Sequence, residues 1–525
     1  MNHDPEANPS PRSRLSHWTA WISLSLLAAA AMLFLEGRKG FGISDEGFLW
    51  YGVQRVLAGD VPLRDFMAYD PGRYYAAAAL MKPWANDGIF ALRVALALVQ
   101  SLALCLALAL VMRGRRAPSA PWLAISLVTL AVWMCPRHRM FDITISLFLM
   151  LALTLWVARP TMIRCVTAGV AVGLAAVFGK NHGVYGAVAS LGVIGYLAVQ
   201  RPSSFPRPLL ALLGWAAGVI LGYSPILIMA ARIPGFAPHY WESIRFLLET
   251  RSTNLPLPVP WPWAISFSLP LSRIVHGLFT GAFFVAVAAY AVAGIPWAMR
   301  AALRKRPLEP ARVSSAVLAL PYAHFAFSRA DVDHLTQGVF PLLIGTLLLA
   351  DNLTSRGRWL LVMSLCGASL IVMTPKHPVY QCGIVRDCVE TSIGSDRLLV
   401  DRRTARHVDL VQRLSRQFAP AGESFVVVPY WPGAYAMMRQ RAPLWSIYAL
   451  FPGSRSFQEG EIDRIRAARP AFAVIDEHAL DGREERRFAR THPAIHRYLL
   501  EHFVEVPGYS VDPEYRVFVA QDRTP

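Results

Sequence analysis

Two adjacent acids, Asp45 and Glu46, come shortly after the first long apolar segment, Trp18 to Glu36, and an aromatic and basic loop follows them. Ionisable residues recur where later apolar runs end. Arg137, Arg139 and Asp142 border one turn, Lys180 and His182 another, and Arg329, Asp331, Asp333 and His334 a third. Lipid penalises such groups, so those kept at segment edges line a cavity or face water. Cations at that depth suit a phosphate, and a carboxylate suits a general base. The combination fits glycosyl transfer from a polyprenyl phosphate sugar. A phosphate leaving group needs little protonation, so one base to activate the acceptor hydroxyl and cations to take up the developing charge would suffice. Two carboxylates dividing acid and base roles, as in most glycosidases, are not required.

The elements that must carry these residues are membrane spans. Of the 525 residues 54% are hydrophobic and 17% charged, too apolar for an ordinary soluble protein of this size. Apolar runs that approach or cross a hydrocarbon core of about 30 Å occur at 18–36, 88–112, 121–135, 141–158, 165–199, 209–230, 274–299, 313–327, 335–350 and 359–374. As a single helix, 165–199 would extend roughly 52 Å at about 1.5 Å per residue. It is therefore split at Gly179-Lys180-Asn181-His182-Gly183, which gives about eleven spans.

In a soluble protein the net charge of +17 would suggest nucleic acid. Here much of it sits in short loops, and no nucleic-acid partner is expected. Arg113, Arg115 and Arg116, Arg159 and Arg164, Arg201 and Arg207, Arg300, Arg304, Lys305 and Arg306, and Arg356 and Arg358 fall on alternate loops. That positive-inside pattern puts these loops and the amino-terminal arm in the cytoplasm, and the carboxyl-terminal tail outside. All the distinctive ionisable turns then lie on the outer side of the inner (plasma) membrane. The first segment reads as a retained anchor, its apolar run being longer than a signal-peptide core.

The chain divides near Thr374. Residues 1–374 form the membrane domain, with a first outer loop at 37–87 and a second long outer segment at 232–270. In the first loop the amphipathic stretch 48–57, stopped by Gly59-Asp60, suits a helix lying in the interface plane. The second, rich in proline and tryptophan from Leu255 to Trp263, suits an interfacial lid or plain packing. Residues 375–525 have a soluble composition. Apolar runs at 425–428, 472–475, 503–506 and 516–520 read as strands, alternating with helical patterns near 408–418, 459–468 and 484–500. The expectation is an α-helical polytopic membrane protein with a small carboxyl-terminal α/β domain outside the cytoplasm. Aromatic segments at 429–432 and 448–452 suit either stacking on sugar rings or a core. Cys382 and Cys388 lie in a polar stretch and either form a disulfide in an oxidising compartment or stay free thiols. Cys105, Cys135, Cys165 and Cys366 belong to apolar segments as packing residues.

In order and sidedness this set resembles the membrane-embedded glycosyltransferases of the GT-C superfamily, in particular the branch of protein O-mannosyltransferases and aminoarabinose transferases. Asp45-Glu46 matches the family's acidic pair after the first span, which implies Asp45 as catalytic base with Glu46 in support. Asp70-Pro71-Gly72-Arg73 matches imperfectly a later first-loop motif, a Pro-Pro pair followed by Leu or Gly. Asp142, preceded by Arg137 and Arg139, matches an acid at the start of the fourth span. Lys180 matches a Lys-Gly turn after the fifth span, with Asn181 and His182 intervening before Gly183, and Arg329 to Pro341 resembles a basic motif before the tenth. The resemblance implies a catalytic role for Asp142 beside Asp45 and Glu46. It implies donor-phosphate binding by Lys180, Arg329, Arg137 and Arg139, and substrate contacts at Tyr69, Asp70, Arg73, His182 and His334. The implied reaction moves a hexosyl or pentosyl group from a lipid-phosphate donor to a glycan, lipid or protein acceptor. The lipid-linked sugar is a substrate, no cofactor is assigned, and the spacing of Asp331, Asp333 and His334 is too unspecific to assign a metal.

Two other functions compete. A transporter or flippase of lipid-linked sugars would place its polar site near the midplane within repeated halves, whereas these residues collect on one face and no repeat is evident. A polymerase or ligase moving whole glycans from diphosphate lipids fits the early acidic pair less well. Single residues also have plainer readings: Lys180 snorkels, Asp142 caps its helix, and Arg137 and Arg139 bind lipid headgroups.

Overall fold

The computed structural model describes residues 11–113, 119–250, 254–510 and 512–523. Its contacts gather into two compact units. The first comprises Met1–Leu35, Leu96–Ser224 and Pro256–Lys376, and the second Glu36–Ala95, Pro225–Leu255 and His377–Pro525.

Each apolar segment read from the sequence is helical. Among the described residues seven helices are long and apolar enough to cross a membrane, and Val332–Gly338 with Phe340–Asn352, bent by 55°, would make an eighth. The expected count of about eleven spans is not reached by this measure. Ala120–Val132 and Met162–Phe178 are shorter apolar helices, and Pro310–Ser328 carries Arg312, Ser314, Ser315 and His324 along its length. The long run at 165–199 does break where its length requires, between the helices Met162–Phe178 and Lys180–Gln200, with Gly179 extended between them.

Within the first unit, Met162–Phe178 packs backbone to backbone on the part of Pro208–Arg232 that precedes Pro225. Gly169 and Gly173 meet the main chain of Trp215 and Val219, and Gly218 and Gly222 meet that of Val166 and Val170, so that no Cβ fits at any of the four. Glycines four apart on both partners form the small-residue stripe through which membrane helices approach closely. Trp261 and Trp263, from the proline-rich segment, stack at 5.2 Å.

The second unit holds the sheets. Strands β1 (Cys388–Ile393) and β2 (Asp396–Asp401) form an antiparallel hairpin that turns at Gly394, whose φ is 59°. Strands β3 (Val426–Val428), β4 (Phe472–Asp476), β5 (Phe503–Glu505) and β6 (Tyr515–Ala520) make a sheet of order β3-β4-β6-β5, parallel only between β3 and β4. Strands β3 and β4 are buried throughout, as uninterrupted apolar runs require. The β3 to β4 crossover carries the helices Pro432–Met438 and Arg455–Ala468. The helical pattern expected at 484–500 is broken into Glu484–Arg486, Phe488–Thr491 and Pro493–His502; Pro493 supplies no N–H and so begins a new helix. Cys382 and Cys388 are joined as a disulfide.

The stretch expected in the interface plane is a core helix of this unit. In Asp45–Leu57 the residues Phe48, Leu49, Trp50, Tyr51 and Val53 are all buried. Trp50 Nε1 donates to the Asp87 carbonyl at 2.7 Å, and the Tyr51 ring lies 5.9 Å from that of Tyr435.

Candidate active site

Asp45 opens its helix, where the N-terminal end of the helix dipole favours a carboxylate. Two glycines fix the position of that turn. A Cβ on Gly47 would lie 2.5 Å from the Gly433 Cα, and Gly433 N donates to the Ile43 carbonyl at 2.9 Å. The backbones therefore touch, and the chain after Pro432–Met438 runs along the first-loop segment. Ala442 N donates to the Tyr51 hydroxyl at 3.0 Å, Trp445 Nε1 to the Leu63 carbonyl at 3.1 Å, and the Tyr448 hydroxyl to Asp45 Oδ1 at 3.0 Å. Phe48 connects this group to Tyr69, with ring centroids 5.4 Å from Tyr448 and 4.9 Å from Tyr69.

Glu46 is buried and committed to an ion pair. Arg93 donates Nε to one carboxylate oxygen and Nη2 to the other, both at 2.8 Å. The rest of the guanidinium donates to the carbonyls of Gly37 at 2.9 Å and Gly40 at 2.7 Å. Glu46 thus ties the start of its helix to the chain before it. Asp70 stands at the N-cap of Pro71–Met81. Arg73 is buried over the Tyr69 ring at 4.8 Å, and Tyr69 N donates to the Tyr74 hydroxyl at 3.0 Å. Asp45, Glu46, Tyr69, Asp70 and Arg73 therefore all belong to the second unit.

The remaining candidates belong to the first unit. Asp142, in the first turn of Met140–Ala158, is buried, and His182 Nε2 lies 3.0 Å from its Oδ1. The other ring nitrogen, Nδ1, lies 2.7 Å from the Tyr322 hydroxyl. Tyr185 and His324 pair next to them at 2.8 Å. Arg137 and Arg139 form the half-buried turn leading into the same helix, and Lys180 is the half-buried first residue of the helix that carries His182. Arg329 and His334 meet through Asp331. Arg329 Nε donates to Oδ2 at 2.9 Å, and His334 gives its backbone N–H at 2.9 Å and Nδ1 at 2.8 Å to Oδ1. Asp333 pairs with Lys376 at 2.9 Å. No group of three or more His, Cys, Asp or Glu among the described residues is arranged to hold a metal.

Arg93, Tyr322, His324 and Lys376 had no place in the sequence reading, and Tyr448 entered it only as a stacking aromatic. Arg93 left a signal, because it is the lone charge in the run 88–112. The aromatic segment at 429–432 serves as core: Tyr430 and Trp431 are buried.

Neither a family model nor a curated protein matches the sequence. Among solved structures, ArnT from Cupriavidus metallidurans in the apo state is similar over 97% of this chain and 99% of its own, with a TM-score of 0.55 and 14% identity. ArnT bound to undecaprenyl phosphate is similar over the same shares at a TM-score of 0.49 and 14% identity. The oligosaccharyltransferase of Archaeoglobus fulgidus in the apo form is similar over 93% of this chain and 73% of its own, at a TM-score of 0.45 and 11% identity. ArnT, an aminoarabinose transferase, and the oligosaccharyltransferase are both GT-C superfamily members. At such identity the likeness concerns the fold, and with apo ArnT it runs the length of both chains. The chain has the GT-C fold, that of a multi-pass membrane protein with a small carboxyl-terminal sheet region.

Proposed function

We propose that the chain is an inverting membrane glycosyltransferase. It takes a sugar from a polyprenyl-phosphate donor and passes it to a glycan, lipid or protein acceptor at the outer face of the membrane. The observation that carries this reading is Asp45, a half-buried carboxylate at the start of the helix following the first apolar segment, oriented by Tyr448 within a GT-C fold. Asp45 accepts the proton of the acceptor hydroxyl as its oxygen bonds to the anomeric carbon, and the bond from that carbon to the phosphate oxygen breaks. The polyprenyl phosphate departs with the electron pair. Lys180, Arg329, Arg137 and Arg139 are assigned to the phosphate, whose developing charge cations stabilise. Glu46, held by Arg93, positions the Asp45 turn, and Tyr69, Asp70 and Arg73 shape the loop that admits substrate. Asp142 holds His182 in place, and His334 is held likewise by Asp331.

The test is transfer of radiolabel from a panel of polyprenyl phosphate sugars in membranes carrying this protein or its Asp45→Asn variant. Label should reach an acceptor with the unmutated protein and not with the variant; full activity of Asp45→Asn would sink the assignment. Lys180→Ala and Arg329→Ala should raise KM for the donor more than they lower kcat, and an unchanged KM in both would remove them from the phosphate site.

A further inference from the structure

In the second unit, one stripe of the Arg402–Phe418 helix carries Arg403, Arg406, His407, Leu410 and Arg413, spaced by three and four residues. Across from it stand Tyr509 and Tyr515, and the cleft they share has a volume of about 380 Å³, within the range of about 300–1,000 Å³ typical of small-molecule sites. The walls are tied together. Gln417 Nε2 donates to the Tyr509 hydroxyl at 2.6 Å, Arg413 Nη2 to the Tyr509 carbonyl at 3.3 Å, and Arg403 Nη2 to the Tyr515 hydroxyl at 3.2 Å. The His407 ring packs on Trp431 at 4.6 Å and on Tyr515 at 4.8 Å. Burial, then the Arg403 charge, pulls that imidazole down to about 4, so at neutral pH it offers a flat polar ring and no further cation.

The charges in the cleft are unequal in what they leave over. Arg413 is matched by Asp409 at 2.8 Å, and Asp512 acts through its charge on Arg403, which leaves Arg406 as the cleft arginine with the most charge to spare. Arg403 and Arg406 are exposed and line the cleft. A guanidinium presents several N–H donors in a planar fork that matches a carboxylate or a phosphate. The half-exposed Tyr509 ring gives an amphipathic surface on which a sugar ring can lie, apolar on the face and polar at the edge, while Tyr515 is buried behind it and anchors Arg403.

We propose that this cleft binds an anionic saccharide, with its sugar ring against the half-exposed Tyr509 and its carboxylate or phosphate on Arg403 and Arg406. Resting on the transferase reading above, the cleft is the holding site for an acidic acceptor glycan. It is distinct from Asp45 and its partners, none of which lines it.

The test is calorimetric titration of the purified full chain in detergent with four probes: an oligoglucuronate, a phosphorylated malto-oligosaccharide, the uncharged malto-oligosaccharide and inorganic phosphate. One of the two anionic sugars should bind at least about tenfold more tightly than the uncharged sugar or bare phosphate, the factor expected from a charge-assisted hydrogen bond. Which of the two binds names the anion. Arg406→Ala, a surface change, should weaken binding about tenfold, and Arg406→Lys, which keeps the charge and loses the fork, should restore only part of it. Failure of both anionic sugars to bind, equal binding of the uncharged sugar or of phosphate alone, or unchanged affinity in Arg406→Ala would each overturn the proposal. Binding is read without transfer, so the two readings fail separately. Asp45→Asn should bind the saccharide as the unmutated chain does, and a variant that binds and also transfers normally would remove the Asp45 assignment and leave the cleft standing.

Discussion

Glu46 and Arg93 form a buried ion pair, with the fork of one on both oxygens of the other. Removing one member of such a pair costs about 3–5 kcal/mol, because the other stays behind as an uncompensated buried charge. Arg93→Ala should therefore lower the melting temperature of the detergent-purified protein sharply. Arg93→Lys should fall in between, since an ammonium cannot hold both oxygens and the two carbonyls of Gly37 and Gly40 together. A melting temperature unchanged in Arg93→Ala would show that the pair holds nothing. Tyr448→Phe is the corresponding test on Asp45. It removes the hydrogen bond that Tyr448 donates to the Asp45 carboxylate, of about 1.5 kcal/mol or more, so kcat should drop about tenfold with the fold intact, and an unchanged kcat would leave Tyr448 as packing. These two partners differ in how legible they were. Asp45-Glu46 announces itself by adjacency after an apolar run, and Arg93 as a charge that lipid would reject. Tyr448 lies 403 residues from Asp45, and nothing local in a single sequence marks a pairing that only the folded second unit creates.

The contact between Asp45–Leu57 and Pro432–Met438 depends on Gly47 and Gly433 having no side chain. Gly47→Ala would force the helices apart at a point where an added methyl meets main chain, a cost of about 1–3 kcal/mol for overpacking, and the displaced turn is the one that carries Asp45. Transfer activity should fall more than stability does. Gly460→Ala, in a helix where an added Cβ meets nothing within 4 Å, is the control and should be neutral or stabilising by about 0.5–1 kcal/mol; equal behaviour of the two variants would remove the crossing as the positioning device. The sheet unit also titrates. Burial pulls the His492 ring down to about 4, below the roughly 6.5 of an unfolded histidine. The folded form is neutral, so the stabilisation is present above about pH 6.5 and is lost as pH falls toward 4. Glu461 and Asp476, pushed up by burial, act in the opposite sense, so a single-site comparison is needed. His492→Gln should lose about 2 kcal/mol less than the unmutated protein between pH 7 and 5, read as the difference in melting of the second unit. Identical pH dependence in the two proteins would refute it. At this scale the apolar strands β3 to β6 were readable because each is a run bounded by polar turns. The hairpin β1 to β2 was not, since only Ile393, Leu398 and Val400 of its residues are buried. The first-loop helix was misplaced for a related reason: four consecutive large apolar residues, Phe48 to Tyr51, cover more of a helix than one face, and a helix apolar on most sides belongs in a core.

Across the whole chain, two features underlie the orientation we propose. The excess of +17 is concentrated in short loops at 113–116, 159–164, 201–207, 300–306 and 356–358, and cationic short loops are retained in the cytoplasm. Counting spans from those loops sends the residues after Lys376 to the other side. The disulfide between Cys382 and Cys388 is a bond that persists in an oxidising compartment and is rare in a reducing one. The span count by length and apolarity alone leaves this open, because the short helices Ala120–Val132 and Met162–Phe178 fall below its threshold, and each span gained or lost inverts everything after it. Loop charge does not depend on that threshold, so the orientation we propose rests on it. An alkaline phosphatase fused after Arg523 should accordingly be active, and one fused after Arg306 inactive. Thiol labelling of the intact protein should find Cys382 and Cys388 blocked until a reductant is added. Activity of the Arg306 fusion together with inactivity of the Arg523 fusion would invert the topology, and would move the Asp45 assignment to a face where the donor proposed for it must be presented from the cytoplasm.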